Sequence, residues 1–147
     1  AIGALPRLRD IGIIPEIMAG NIIGVLAQRL IRKRCNYCKE PYMPEKKDLG
    51  MLSNREGIKP DKIDRAKGCT VCDHSGYKGR LALLEILKMN SDLDDLLAHG
   101  ATTKEIKDAA YDQGFFTLAD DGVRHIIGGI TSIEEVARVA DLTDRMS

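Results

Sequence analysis

The chain has 147 residues, enough for one ordinary domain or two small ones, and its 44% apolar content can build a packed core, which excludes global disorder. Lys and Arg total 22 and Asp and Glu total 22, so no net field draws the chain toward nucleic acid or an anionic membrane. Aromatics make up only 4%, too few for a base-stacking surface, and the longest apolar runs, such as 22–27, fall far short of the roughly 20 residues that cross a bilayer.

Taken in order, residues 1–20 carry helical apolar spacing that Pro6, Gly12 and Pro15 break into short pieces, with Pro15 placed to open a second short helix. Residues 22–32 are rich in Ile, Val and Leu and predict a partly buried strand that leads into Cys35. Pro41, Pro44, Gly50, Gly57 and Pro60 then surround the mixed stretch 45–55, which reads as an insertion with one short helix. Gly76-Tyr77-Lys78-Gly79-Arg80 predicts a turn, and 81–89 a second strand.

From Asn90 onward the pattern becomes helical. Ser91-x-x-Asp94, Thr102-x-x-Glu105, Thr117-x-x-Asp120 and Ser132-x-x-Glu135 match the capping-box spacing, in which a side chain and a backbone N–H satisfy each other at a helix start. Four short helices are expected, closed at Gly100, Gly114 and Gly128-Gly129. Ile106, Ala109 and Ala110, then Val123, Ile126 and Ile127, then Ile133, Val136 and Val139 recur at three- and four-residue spacings and are the core candidates of this C-terminal helical subdomain.

The chemistry of the chain is concentrated in Cys35-x-x-Cys38 and Cys69-x-x-Cys72, which together use all four cysteines. Two such knuckles supply the four soft ligands that a closed, tetrahedral, structural zinc prefers, whereas a catalytic zinc keeps one position for water. Zinc on Cys35, Cys38, Cys69 and Cys72 is the favoured reading. A redox Cys-x-x-Cys pair, disulfides, and replacement of one cysteine by His74 are its competitors. Arg32, Lys33, Arg34 and Lys39 flank the first pair, and Lys67, Lys78 and Arg80 the second; most belong to a solvated surface, with one or two available to offset the thiolate charge.

His99 and His125 stand alone as surface or capping histidines, and the acidic pairs at 94–95, 120–121 and 134–135 suit helix starts. No residue is assigned a catalytic role. The sequence contains no G-x-x-x-x-G-K-[ST] motif and no Gly-Lys dipeptide, so it supplies no P-loop. The cysteine usage suits a reducing cytoplasm, and the start at Ala1-Ile2 without an initiator methionine reads as a piece of a larger protein.

Together, Gln28-Arg29-Leu30-Ile31-Arg32-Lys33-Arg34-Cys35-x-x-Cys38-Lys39-Glu40-Pro41-Tyr42 and Gly68-Cys69-x-x-Cys72-x-x-x-Gly76-Tyr77-x-Gly79-Arg80 resemble the type II secretion and type IV pilus assembly ATPases. The resemblance continues through Leu84-Glu85-Ile86-Leu87, Ala109-Ala110-x-x-Gln113-Gly114, Thr117-Leu118-x-x-Asp121-Gly122 and Gly129-Ile130-Thr131-Ser132-Ile133-Glu134-Glu135-Val136. It implies an α+β chain in three parts: residues 1–34 as the tail of a RecA-like α/β ATPase domain, 35–89 as a tetracysteine zinc-binding element with its insertion, and 90–147 as the helical subdomain. Pro6 interrupts the helix that the resemblance places there.

The implied parent is a homo-hexameric ATPase at the cytoplasmic face of the inner membrane. It would bind ATP and Mg mainly through residues upstream of this chain, and would drive pilin or pseudopilin assembly through an integral membrane platform protein. The rival reading is a stand-alone zinc ribbon that binds protein or nucleic acid.

Overall fold

The computed structural model describes residues 1–52 and 60–142. Two short helices, α1 (Ala4–Asp10) and α2 (Pro15–Met18), precede the long strand β1 (Gly24–Arg34). Then come β2 (Lys39–Tyr42), α3 (Lys46–Leu52), β3 (Ile63–Ala66) and the second long strand β4 (Tyr77–Lys88). The helices α4 (Ser91–Ala98), α5 (Thr103–Asp112), α6 (Leu118–Ile127) and α7 (Ile133–Ala137) complete the order. This is the α+β mixture expected.

Local chemistry explains most of these elements and corrects four expectations. Pro6 does not break α1. It occupies the third helical position, where the missing N–H is one of the four donors that have no intrahelical acceptor anyway. The cap of α4 is Asn90 rather than Ser91: the Asn90 side chain accepts from the Leu93 N–H at 3.0 Å.

Strand β1 lies two residues later than predicted, and β4 begins at Tyr77, taking in most of the expected turn. The fourth correction is an unforeseen ladder, β2 with β3, antiparallel in the register Lys39↔Ala66 to Tyr42↔Ile63. It joins the two ends of the insertion. The predicted insertion helix is α3, and the part of that prediction covering 53–55 falls outside the described residues.

Other expectations hold. Thr102 and Glu105 form a complete capping box at α5, with Thr102 N–H donating to Glu105 Oε2 at 2.7 Å and Glu105 N–H to Thr102 Oγ1 at 3.3 Å. Gly100, Gly114 and Gly129 close α4, α5 and α6 at positive φ. Each lets the next residue's N–H reach back five residues, as in Ala101 to Leu96 O at 2.9 Å.

Strands β1 and β4 form a two-stranded sheet. Met89 N–H donates to Ile23 O at 3.1 Å and Cys35 N–H to Gly76 O at 2.9 Å, so the strands run antiparallel. The chain divides into two compact units, one of residues 1–27 and 84–117, the other of residues 28–83 and 118–147. This grouping cuts across the three consecutive segments of the sequence reading, because the C-terminal helices are shared out: α4 and α5 belong to unit 1, α6 and α7 to unit 2.

Unit 1 has its own core, in which Leu5, Met18, Leu87, Leu93 and Leu97 are almost fully buried along with Ile106, Ala110 and Phe115. Unit 2 packs Ile31, Leu52, Ile63 and Leu83 with Val123, Ile126, Ile133, Val136 and Leu142. Of the core candidates, Ile106, Ala110, Val123, Ile126, Ile133 and Val136 are buried, and Ala109, Ile127 and Val139 are partly buried. Close approach within unit 2 depends on Gly122 of α6, where an added Cβ would lie 2.4 Å from Val136 Cγ1 of α7.

Candidate metal centre

Unit 2 brings the four cysteines to one point. Cys35 follows directly on β1, Cys38 precedes β2, and Cys69 and Cys72 bracket a short 3-10 turn, Thr70–Cys72, ahead of β4. All four Sγ atoms lie within 4.8 Å of one another. Three separations measure 3.9 Å (Cys35 to Cys69), 3.8 Å (Cys38 to Cys72) and 3.7 Å (Cys69 to Cys72). A regular tetrahedron of sulfurs at the usual Zn–S bond length has edges of about 3.8 Å. The residues present therefore fit a four-coordinate zinc.

The backbone is shaped for this convergence. Gly68 and Gly76 flank the second knuckle at φ +94° and +77°. A Cβ at Gly68 would come within 2.5 Å of His74 O, and one at Gly76 within 2.6 Å of Ala66 Cβ. Both positions demand glycine on conformation and on space. Cys69 N–H and Gly76 N–H each donate to Cys72 Sγ at 3.2 Å, offsetting charge on that sulfur, while Ser75 Oγ ties the turn to Cys72 O at 2.6 Å.

Burial opposes ionisation of Cys72, but those two backbone donors and the neighbouring thiols outweigh it and bring its thiol down to about 6. Burial pushes the Cys38 thiol up to about 12, assisted by hydrogen bonds with the other sulfurs and opposed by the Gly68 backbone. Crowded thiols cannot all ionise together unless a cation shares them, and zinc supplies that charge when bound.

Six of the seven flanking cations are exposed, as expected; the part at sulfur foreseen for one or two of them is taken by backbone N–H groups. Arg34 is buried and its Nη2 donates to Asp64 Oδ2 at 2.9 Å and to Gly129 O, while Lys67 faces Glu40 and Lys78 reaches Val71 O. Their partners are carboxylates and carbonyls, and the offset at sulfur comes from backbone N–H groups. His74 is exposed and lies outside the cluster, its N–H bonded to Cys69 O at 2.8 Å. His99 Nδ1 sits 2.7 Å from Asp95 O at the end of α4, and His125 lies 3.7 Å from Asp121, so both keep local roles.

Sequence reasoning missed a polar network beside the cysteines. Glu135, only 1% exposed, accepts from Arg32 N–H at 2.9 Å, Arg32 Nε at 3.0 Å, Arg32 Nη2 at 2.7 Å and Arg138 Nη2 at 2.9 Å. Half of the predicted capping box survives, because Ser132 Oγ accepts from Glu135 N–H at 3.3 Å. The Glu135 carboxylate turns away to the two guanidiniums, which are stronger donors than a neutral backbone N–H.

Ser132 Oγ also meets Tyr77 Oη at 2.7 Å, the Tyr77 ring lies 4.2 Å from the Arg32 guanidinium carbon, and Thr131 Oγ1 donates to Arg32 O. Burial resists the charge on Glu135, yet the arginines hold its carboxyl at about 2, below the usual 4.5. The only sequence signals were Gly-Tyr-x-Gly-Arg and Gly-Ile-Thr-Ser, whose partners are remote along the chain.

Fold and site thus define an α+β chain that clamps two strand ends around a tetracysteine cluster. The chain belongs to the type II/IV secretion system protein family, whose sequence profile matches residues 1–138. It is 38% identical over 139 residues to the type II secretion system ATPase E of Vibrio cholerae, covering 95% of this chain and 27% of that protein. It is also 38% identical over 144 residues to the type IV pilus assembly ATPase TfpB of Acinetobacter baylyi, covering 97% and 25%, and 37% identical to the type II secretion system protein E of Pseudomonas aeruginosa. The chain spans about a quarter of the length of these relatives.

Proposed function

We propose that this chain is the C-terminal region of a hexameric ATPase that powers type II pseudopilus or type IV pilus assembly from the cytoplasmic face of the inner membrane. In this reading residues 1–34 end the RecA-like ATPase domain, and ATP with Mg is held mainly by residues outside this chain. The region contributes a structural zinc on Cys35, Cys38, Cys69 and Cys72, and a surface toward the membrane platform protein. The observation that carries the reading is the four-sulfur convergence in a chain whose relatives, matched along nearly its whole length, are named as secretion and pilus ATPases. Among the described residues no helix is long and apolar enough to cross a membrane, which is compatible with a peripheral attachment.

The mechanical role follows from chain order. Cys35 terminates β1, and Cys69 and Cys72 lead into β4, so a bound zinc would tie the ends of two paired strands and stiffen them. Stiff strands transmit displacement that a loose loop would absorb.

The test is Cys35→Ser and Cys69→Ser in the full-length protein, with zinc content, ATPase rate and pilus or pseudopilus assembly measured together. Loss of zinc and of assembly, with ATPase retained or uncoupled, is the expected result. Unchanged zinc and unchanged assembly would overturn the proposal.

A further inference from the structure

Leu30, Ile31, Arg32, Arg80 and Arg138 line an open concavity of about 480 Å3 within unit 2. No carboxylate lines it among the described residues, and the one acid in contact with its arginines is buried Glu135. Three guanidiniums less one carboxylate leave a local charge of plus two.

Two of the arginines are already held in place. Glu135 takes Nε and Nη2 of Arg32 and Nη2 of Arg138, and the Tyr77 ring lies against the Arg32 guanidinium. Their side chains nevertheless remain 47% and 57% exposed, leaving donors free to meet a ligand. Fixing a long side chain before binding removes part of the ordering cost that weakens surface arginines as binders. Arg80, exposed on β4, faces the same space, and Leu30 offers an exposed apolar wall.

We propose that this concavity binds a phosphate group, free or esterified. Guanidinium forks match phosphate oxygens in pairs, and a doubly charged phosphate balances the local plus two, which a single carboxylate would only halve. The volume admits the phosphate together with the first part of an ester substituent, which Leu30 would contact. The source of the phosphate is either a soluble phosphate ester or a lipid headgroup. The site shares no residue with the cysteine cluster, so it stands apart from the zinc reading.

The experiment is calorimetric titration of the 147-residue chain with glycerol phosphate, a phosphomonoester, and co-sedimentation with phosphatidylcholine vesicles prepared with and without phosphatidic acid, whose headgroup is also a phosphomonoester. Arg80→Ala is the principal variant, because Arg80 lies outside the Glu135 network and its removal leaves that packing intact. Arg124→Ala, on an exposed arginine of α6 outside the concavity, is the control. Melting temperatures check that both variants remain folded.

Arg80→Ala is expected to weaken binding by roughly tenfold or more; Arg124→Ala should match the parent, and added salt should weaken the parent's binding. Arg80-dependent binding of glycerol phosphate alone assigns a soluble phosphate ester. Arg80-dependent binding of phosphatidic acid vesicles assigns a lipid headgroup. Binding of neither, binding indifferent to Arg80→Ala, or equal binding of an oligoglutamate peptide would overturn the proposal.

Discussion

Among the described residues, the hydrophobic cores of units 1 and 2 each hold ten buried residues, yet the two units are specified differently. All six buried polar or charged residues among those described, Arg34, Asp48, Asp120, Thr131, Ser132 and Glu135, lie in unit 2, as do the four cysteines. Unit 1 relies on apolar packing and helix capping, which tolerate substitution if volume is kept. Unit 2 depends on pairings in which each member is costly to leave alone, so fewer sequences satisfy it but its geometry is more tightly set. A chain that must place four sulfurs to within a few tenths of an ångström uses the second strategy where they sit.

The sharpest way to break this contrast is to challenge the proposed zinc with a chelator. Zinc-binding free energies in small sites are on the order of 10 kcal/mol and appear as folding energy. A chelator should therefore strip hydrogen-exchange protection from the knuckle amides of Cys35, Lys67 and His74 while those of Ile106 and Phe115 in unit 1 persist. Simultaneous loss in both units would dissolve the distinction.

Leu93→Ala probes the opposite side. Leu93 is fully buried in unit 1, so the change should cost about 2–5 kcal/mol by denaturant unfolding and leave zinc content unchanged.

Glu135→Gln tests whether unit 2 owes stability to charge. It should cost about 1–3 kcal/mol near neutral pH. The Glu135 carboxyl is lowered from 4.5 to about 2, against its burial, by Arg32 and Arg138. Its contribution is therefore complete above pH 4.5 and is lost as pH falls toward 2. Urea midpoints of parent and variant taken across that window should converge toward its acid end. The smallest effect belongs to the exposed capping box of α5, where Thr102→Ala should cost about 1 kcal/mol in a thermal melt.

What could be read from the sequence was whatever is decided within a few residues. The Cys-x-x-Cys knuckles, the Thr102 capping box and the glycine ends of α4 to α6 are local, and each appears where its spacing placed it. Glu135 was half legible: its amide is capped by Ser132 three residues away, but its side chain answers to Arg32, 103 positions distant. The β2–β3 ladder escaped because Pro41 and the short, mixed runs around it give no alternation to read. Pro6 misled because a breaker in the middle of a helix is harmless in its first turn. The division of the C-terminal helices followed from the two long strands. Leu87 of β4 joins one core and Leu83, four residues earlier, joins the other.

That division bears on how such a chain can be recombined. The polypeptide passes from one core to the other three times, at 27–28, 83–84 and 117–118. A single crossover between two relatives thus joins halves of different cores and leaves mismatched packing in at least one of them. Exchange of either core alone requires three junctions at once. The region should therefore be inherited as one block, and chimaeras joined at its outer edges should fold where those joined at Cys35 or Asn90 do not.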